Sequence, residues 1–218
     1  MIVGVLALQG DVPEHRNELR RLLDPEEIEL VRTPGALAQV DGLVLPGGES
    51  TTMARLLADA GLWQPLAERL TAGLPVLATC AGLILLAREL APGTGGAEPP
   101  TFRALDIRIR RNDYGRQRES FEAPVEFIGV PGGPFPGVFI RSPRILHVGE
   151  KAVPIAFSGP EIVGVRQGSI LGLTFHPELS EDDRILREFV RLVSASQTKR
   201  TRVTARRVKT RPTATRVQ

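Results

Sequence analysis

The stretch "PVLATCAGLILLA" (Pro75–Ala87) decides the fold class, because two apolar runs follow one another there with only small residues between them. The run "LPVLAT" is typical of a strand buried on both faces of a sheet, and "AGLILLAREL" is typical of a helix packed against that strand. Cys80, the only cysteine in the chain, lies between them. The stretch therefore predicts a strand, a tight turn that carries the cysteine, and a helix.

The same alternation runs through the first half of the chain. Strands are predicted for "MIVGVLALQG", "EIELV" and "DGLVLPGGES", and helices for "DVPEHRNELRRLL" and "TTMARLLADAGLWQPLAERLTAG". Strands that alternate with helices form a parallel sheet covered on both faces. The predicted fold class is α/β, with three layers and a mostly parallel central sheet between helices.

The second half changes character. Short β-like runs follow one another closely: "ALDIRIRR", "PVEFIGV", "GVFIRSP", "RILHVG", "VPIAF", "EIVGVRQG" and "ILGLTF". Such spacing predicts a small antiparallel β portion joined to the parallel sheet. A final amphipathic helix is predicted from Asp182 to Ser196.

Positive charge is concentrated at the C-terminus. The formal net charge is +3, yet residues 194–218 contain eight Lys or Arg and no Asp or Glu, and the remainder has 20 basic and 25 acidic residues. We predict one domain over residues 1–196 and a basic, disordered tail over 197–218. The arginine-rich tail is the only reason to consider a nucleic-acid-binding protein.

Composition excludes several other classes. No apolar run approaches the roughly 20 residues that span a bilayer, so a membrane protein is not expected. A single cysteine cannot form an internal disulfide, and no cysteine pair or cluster can hold zinc. The chain is predicted to be cytoplasmic, with no metal and no cofactor.

Cys80 admits two interpretations. A free cysteine is often buried and then behaves as a small apolar side chain. Alternatively, the layout is that of a nucleophile elbow, in which small neighbours such as Ala78 and Gly82 let strand and helix approach closely. The helix start after Cys80 would also favour its thiolate. This segment alone leaves the choice open, and a partner base would favour catalysis.

His176 is the candidate base among three histidines. It follows the apolar run "ILGLTF" and so lies at a strand end, where open α/β sheets build their sites. Glu178 lies two residues further, and in an extended segment such positions face the same way, so its carboxylate can orient the imidazole. The alternative is a chance His-Pro-Glu on a surface turn. His15 and His147 are predicted to be structural or surface residues.

Donors for an oxyanion are predicted at two places. "LPGGES" ends the third strand, and Gly47 and Gly48 leave backbone N–H groups unobstructed near the same sheet edge. The N–H of Ala81, next after the cysteine, is the second donor. Taken alone, Pro-Gly-Gly is equally well explained as a simple turn.

Together, "LPGGES", "TCAG" and "FHPE" resemble the class I, triad-type glutamine amidotransferase family, in which Cys, His and Glu occur in this order. Within it, the chain is most similar to the glutaminase subunits of pyridoxal 5′-phosphate synthase. The segments that carry this similarity are "GVLALQGDVPEH", "DGLVLPGGESTTM", "RRNDYGRQRESFEAPV", "GVFIRSP" and "GLTFHPEL". They cover nearly everything before the tail, and the resemblance implies a flavodoxin-like sheet.

The resemblance implies a glutaminase that hydrolyses L-glutamine to L-glutamate and ammonia. The ammonia would pass to a separate synthase subunit that makes pyridoxal 5′-phosphate, in vitamin B6 biosynthesis. By the same resemblance Cys80 is the nucleophile, His176 the general base and acid, and Glu178 its orienter. The positions implied to hold glutamine are Gly48, Glu49, Ser50, Arg111, Ile140 and Arg141.

Three features depart from the family pattern. Ala78 stands where glycine is common, the Gly/Pro-rich stretch 91–100 is longer than usual, and the basic tail has no counterpart. Gln9 and Gly10, at the end of the first strand, are candidates for the edge that docks on the synthase. Two alternatives stay open: a glutaminase for another synthase, such as that of histidine biosynthesis, and a non-catalytic protein that binds nucleic acid through its tail.

Overall fold

The computed structural model describes residues 1–92, 98–111 and 120–209, with side chains described up to residue 198. Three features named above extend beyond these ranges. They are the Gly/Pro-rich stretch, of which 93–97 lie outside, the "RRNDYGRQRESFEAPV" segment, of which 112–119 lie outside, and the tail from residue 210 onward.

The described ranges form strands, helices and two short 3-10 turns, Pro25–Glu27 and Pro177–Leu179. The strands are β1 Val3–Leu6, β2 Ile28–Val31, β3 Gly42–Leu45, β4 Val76–Thr79, β5 Ala87–Ala91, β6 Leu105–Arg110, β7 Ser120–Phe127, β8 Phe135–Ile140, β9 Arg144–Val148, β10 Val153–Ser158, β11 Glu161–Gln167 and β12 Ile170–Leu173. The helices are α1 Val12–Leu19, α2 Pro34–Gln39, α3 Ser50–Asp59, α4 Trp63–Thr71, α5 Ala81–Leu86 and α6 Arg184–Lys209.

Nine strands form one mixed sheet in the order β2-β1-β3-β4-β12-β11-β10-β7-β8. The first five are parallel to one another, and from β12 to β8 each strand is antiparallel to its neighbour. The parallel part has the strand order of flavodoxin-like sheets. This confirms the predicted α/β class, and the predicted antiparallel portion continues the same sheet.

Helices cover both faces of the parallel part. Side chains alternate along each buried strand: Leu43 and Leu45 of β3 pack with α3, α4 and α5, whereas Val44 packs with α1 and α6 on the other face. Every residue of β1, β3, β4 and β12 is buried. The continuous apolar runs in the sequence follow from this burial on two sides.

A second sheet, β5-β6-β9, is not predicted from the sequence. The predicted helix over "AGLILLAREL" is wrong in its second half, because α5 ends at Leu86 and the chain continues as β5, parallel to β6. Glu89 of β5 pairs with Arg108 of β6 at 3.0 Å. Pairing between segments outweighs the helical pattern of "LAREL" here.

The last helix is longer than its predicted extent. It begins at Arg184 and continues to Lys209, so residues 197–209, for which disorder is predicted, belong to this helix. Residues 197–209 contain Arg, Lys, Ala and Gln, which favour helix, and no Gly or Pro. None of the helices in the described ranges has the length and apolar character needed to cross a membrane.

Candidate active site

The predicted site residues meet at the carboxyl edge of the parallel strands. Cys80 follows β4, His176 lies just beyond β12, and Gly48 lies just beyond β3. These three residues line one pocket, with a volume of about 160 Å³. Since β3, β4 and β12 are parallel, their carboxyl ends lie side by side, and segments far apart in the sequence converge there.

Cys80 lies on a strained turn. Its backbone has φ 44° and ψ −100°, values that a residue with a side chain rarely adopts. The turn is held by the Cys80 N–H, which donates to Leu173 O at 2.9 Å, and by the Gly82 N–H, which donates to Pro46 O at 3.1 Å. The thiol faces Ile140 O at 3.9 Å, and the residue as a whole is 6% exposed. The predicted strand, turn and helix layout is present.

The small residues on either side of Cys80 fit the close packing that an elbow requires. A Cβ on Gly82 would overlap the carbonyl of Leu45 on β3, with the carbonyl carbon 2.8 Å away. Ala78 is fully buried and pairs in register with Gly172 of β12. A Cβ on Gly172 would lie 2.5 Å from Leu83 Cδ1, so the glycine leaves room for Leu83 beside the Ala78 methyl. The residue paired with the elbow alanine, Gly172, therefore has no side chain of its own in this crowded region.

His176 and Glu178 form the predicted pair, but not in an extended segment. The His176 ring Nδ1 is 2.8 Å from Glu178 Oε1, and both side chains are buried. Residues Pro177–Leu179 form a 3-10 turn, so the prediction of an extended segment is wrong. The turn folds the carboxylate back beneath the ring because Pro177 favours the first position of a helical turn.

Asp11 joins this pair. It occupies the N-cap position of α1, but its side chain makes no capping hydrogen bond. Its Oδ2 instead lies 3.2 Å from the same His176 Nδ1. A Cβ on Gly47 would lie 2.5 Å from that oxygen, so glycine at this position leaves room for the carboxylate and the ring.

These contacts hold a positive charge on the ring. Burial by itself lowers the pKa of His176, but hydrogen bonds to Asp11, Cys80 and Glu178 outweigh burial and raise it to about 12. With Nδ1 facing the carboxylates, Nε2 is the ring nitrogen left for the sulfur. The arrangement favours an imidazolium beside Cys80, which suits a thiolate nucleophile.

A second histidine lies behind the first. His15 is fully buried, with Nε2 3.2 Å from Thr79 Oγ1 and 3.4 Å from Glu178 Oε1. Glu18, one helical turn further along α1, places Oε2 3.9 Å from His15 Nδ1. The structure therefore makes His15 a buried neighbour of the site. The spacing of Asp11, His15 and Glu18 at four and three residues, on one face of a helix, is the signal that could have found them.

The pKa of Glu18 is raised to about 8, mainly by burial and to a smaller extent by the charge of Glu178. The carboxyl group is therefore protonated at neutral pH. Its pKa lies above the ordinary value of 4.5, so its contribution to stability is complete below pH 4.5 and is lost as the pH rises toward 8.

The variant Glu18→Gln should remove this pH dependence, because the amide stays neutral. We expect its free energy of unfolding, relative to the unchanged protein, to increase by at least about 1 kcal/mol between pH 5 and pH 9. Urea unfolding at pH 5, 7 and 9 measures the difference. Parallel pH profiles for the two proteins would show that Glu18 is ionised in the folded state at neutral pH.

The loop after β3 is held by a residue from β1's carboxyl end. Gln9 Oε1 accepts the Glu49 N–H at 2.9 Å, and the Asp11 N–H donates to Gly47 O at 3.2 Å. Gly48 borders the pocket with φ 146°, whereas Ala81 is buried at the start of α5. Gly48 thus borders the pocket that Cys80 lines, Ala81 directly follows Cys80, and Gln9 connects the predicted docking edge to the loop that carries Gly48.

All six positions implied to hold glutamine line the same pocket: Gly48, Glu49, Ser50, Arg111, Ile140 and Arg141. Glu49 caps α3, accepting the Thr51 and Thr52 N–H groups at 3.0 and 2.6 Å. Its partial burial raises its pKa, but these hydrogen bonds outweigh burial and lower the pKa to about 2. Glu49 therefore stays charged at neutral pH. Arg111 Nη2 lies 3.4 Å from its Oε1.

Asp11, His176 and Glu178 are close enough to hold a metal, with donor atoms within 4.8 Å of one another. One ring nitrogen, Nδ1, faces both carboxylates at hydrogen-bonding distance. The Nδ1–H of a protonated ring can be shared between the two carboxylates.

A flavodoxin-like sheet with a cysteine elbow and a buried His–Glu pair at adjacent strand ends is the arrangement of a triad-type glutamine amidotransferase. The chain belongs to the SNO glutamine amidotransferase family, whose model matches residues 5–195.

Relatives and a solved structure agree with this assignment. The chain is 51% identical over 195 residues to "Pyridoxal 5′-phosphate synthase subunit PdxT" of Streptomyces griseus, covering 89% of this chain and 96% of the relative. The PdxT of Pyrococcus furiosus is 45% identical, with 88% and 98% covered. A crystal structure of a glutamine amidotransferase matches with a TM-score of 0.81 and 42% identity, covering 89% of this chain and all of the other.

Proposed function

We propose that this protein is the glutaminase subunit of a pyridoxal 5′-phosphate synthase. It would hydrolyse L-glutamine and supply ammonia to a synthase subunit. The observation that carries the proposal is the His176 ring, which is hydrogen-bonded to Glu178 and lines, together with Cys80, one pocket that also has charged residues in its wall. The acceptor of the ammonia is inferred from relatives named as PdxT subunits.

Glutamine binding would use the charges at the pocket. Arg141 lies at the end of β8 and exposes its side chain, and an arginine can pair with the substrate α-carboxylate. Glu49, which stays ionised, can take the α-ammonium. Arg111, beside Glu49, would hold that carboxylate in place. The side-chain amide would then extend toward Cys80.

The first half-reaction forms a thioester. The Cys80 thiolate attacks the amide carbon, and the N–H groups of Gly48 and Ala81 stabilise the oxyanion. His176, held as imidazolium by Glu178 and Asp11, gives its proton to the departing nitrogen, so that ammonia leaves. The C–N bond breaks as the acyl group stays on sulfur.

The second half-reaction releases glutamate. His176, now neutral, takes a proton from water, and the resulting hydroxide attacks the thioester carbon. The C–S bond breaks, the sulfur leaves as thiolate, and His176 is again protonated. The site thus returns to the ion pair from which it started.

Docking of the synthase would act on the oxyanion loop. Gln9 lies at the carboxyl end of β1 and holds the Glu49 N–H, next to Gly48. A partner that contacts Gln9 and Gly10 would therefore move or fix the loop that supplies the oxyanion donor. This contact offers a physical route by which the synthase controls ammonia release.

The proposal is tested by measuring glutamate formation from glutamine with and without the synthase subunit. We expect glutamate to form when both subunits are present. Pyridoxal 5′-phosphate should form from a pentose phosphate and a triose phosphate, the substrates that the family resemblance implies for the synthase, with glutamine as the only nitrogen source. A matched reaction with ammonium salt controls for the activity of the synthase itself. Glutamate release that responds instead to the synthase of histidine biosynthesis would contradict the assigned acceptor.

A further inference from the structure

Some described buried titratable groups have no role in the mechanism above, and among them His15 lies closest to the triad. Its side chain and that of Glu178 are both inaccessible to solvent, and His15 Nε2 lies 3.4 Å from Glu178 Oε1. His15 does not line the glutamine pocket. The ring therefore contacts the orienting carboxylate from behind, on the side away from the substrate.

We propose that His15 is a positioning residue, whose Nε2–H donates to Glu178 Oε1 and fixes the carboxylate that orients His176. The inference rests on the proposed glutaminase function, since it assigns a role in that reaction. His15 would act through Glu178 and never touch glutamine.

The contacts of Glu178 with the two histidines are both made by one carboxylate oxygen, Oε1. Oε1 lies 2.8 Å from His176 Nδ1 and 3.4 Å from His15 Nε2, whereas Oε2 is buried and has no hydrogen-bond partner among the described residues. Rotation of the carboxylate would give up both donors together. The neighbouring His15 ring places at that oxygen a nitrogen that can donate a hydrogen bond.

The surroundings of His15 favour a neutral ring with its proton on Nε2. Burial is the main cause that lowers the pKa of His15, and it outweighs the charges of Glu178, Asp11 and Glu14. The Glu18 carboxyl group, 3.9 Å from Nδ1, is protonated at neutral pH and adds no charge. The positive His176 ring also opposes a second charge. Nδ1 has no hydrogen-bond partner in the described ranges. A proton on Nδ1 would turn the Nε2 lone pair toward the carboxylate.

Thr79 connects this histidine to the nucleophile. Its hydroxyl lies 3.2 Å from His15 Nε2, and Thr79 directly precedes Cys80 at the end of β4. The hydroxyl and the Glu178 carboxylate thus face the same ring nitrogen. The ring sits between the strand that carries the nucleophile and the turn that carries the orienting carboxylate.

The test compares His15→Leu with His15→Gln in the complex with the synthase. The leucine removes the donor, and we expect kcat to fall about ten-fold or more with KM for glutamine within about two-fold. The glutamine side chain carries an N–H near the position of Nε2, so it should recover most of the lost kcat. His147→Leu, the same change at an exposed histidine of β9, is the matched control and should retain full activity.

Thermal unfolding of each variant separates positioning from folding. A kcat for His15→Leu equal to that of the unchanged protein, or an equal loss in the leucine and glutamine variants at equal stability, would overturn the proposal. If His15→Leu does not fold, ¹⁵N NMR of the histidine side chains in the unchanged protein decides, with His15 assigned by its absence in His15→Gln. A proton on Nε2 between pH 6 and 8 supports the proposal, and a proton on Nδ1 refutes it.

The tautomer of the His15 ring can be determined whether or not the complex has glutaminase activity. If the unchanged complex releases no glutamate, the proposed function fails, whereas the NMR result still reports whether His15 Nε2 carries the proton that the proposed contact with Glu178 requires.

Discussion

Cys80→Ala is expected to abolish glutamate and ammonia release while the protein stays folded. The sulfur forms and breaks the bond to the acyl group, and no other described side chain at the pocket offers an equivalent nucleophile in contact with His176. Loss of a nucleophile from a triad lowers kcat by at least about 10³-fold. Glutamate formation in the presence of the synthase measures the effect.

Stability should change little in this variant. Alanine keeps the backbone of the turn, whose hydrogen bonds to Leu173 and Pro46 involve main-chain atoms only. The substitution removes the weak interaction of the thiol with Ile140 O, which spans 3.9 Å. The melting temperature should stay within a few degrees of that of the unchanged protein.

A reaction supplied with ammonium salt distinguishes loss of the glutaminase reaction from failure of the two subunits to assemble. The complex that contains Cys80→Ala should still make pyridoxal 5′-phosphate when ammonium is supplied, because the synthase is untouched. Undiminished glutamate release from the variant would refute the assignment of Cys80 as nucleophile. Failure of the ammonium reaction would place the defect in assembly of the complex.

Gly82→Ala is expected to have the largest effect on stability. The added methyl would overlap the Leu45 carbonyl, and backbone on both sides leaves little room for relaxation because Leu45 belongs to a fully buried central strand. Overpacking of this kind costs about 2–3 kcal/mol. The shift also moves the start of α5, so we expect glutaminase activity to fall together with stability.

Gly35→Ala provides the matched control. Gly35 also lies in a helix, α2, and a Cβ there would meet only Thr33 Oγ1, at 3.9 Å. Alanine in a helix with free space is neutral or stabilising by up to about 1 kcal/mol. Urea unfolding of both variants measures the contrast. Equal stability of the two would show that the strand and helix beside Cys80 can separate without cost.

Local apolar patterns in the sequence predict much of the fold. The apolar runs around Leu43 and Val76 predict buried strands, since their side chains face helices on both sides of the sheet. The predicted helix after Cys80 is correct only in its first half, because β5 depends on pairing with β6, and a single-segment pattern contains no information about such a partner. Likewise, the second sheet and the extension of α6 to Lys209 are seen only in the structure.

The site likewise contains residues that the sequence predicts and features that only the structure shows. Cys80, His176 and Glu178 are predicted from the sequence, since each lies at or shortly after the end of a predicted strand and its chemical type suits acyl transfer. The 3-10 turn that joins His176 to Glu178 is not predicted, because Pro177 is compatible with both extended and helical backbone.

The sequence by itself determined the parallel sheet, the small residues at the elbow and the identity of the cysteine, histidine and glutamate. Only the tertiary structure decided that Asp11, His15 and Glu18 belong beside them. The physical reason is that α1 packs against the turn after β12, and this contact brings together residues more than 150 positions apart. Burial and charge at that contact then set the protonation states of His15, Glu18 and His176.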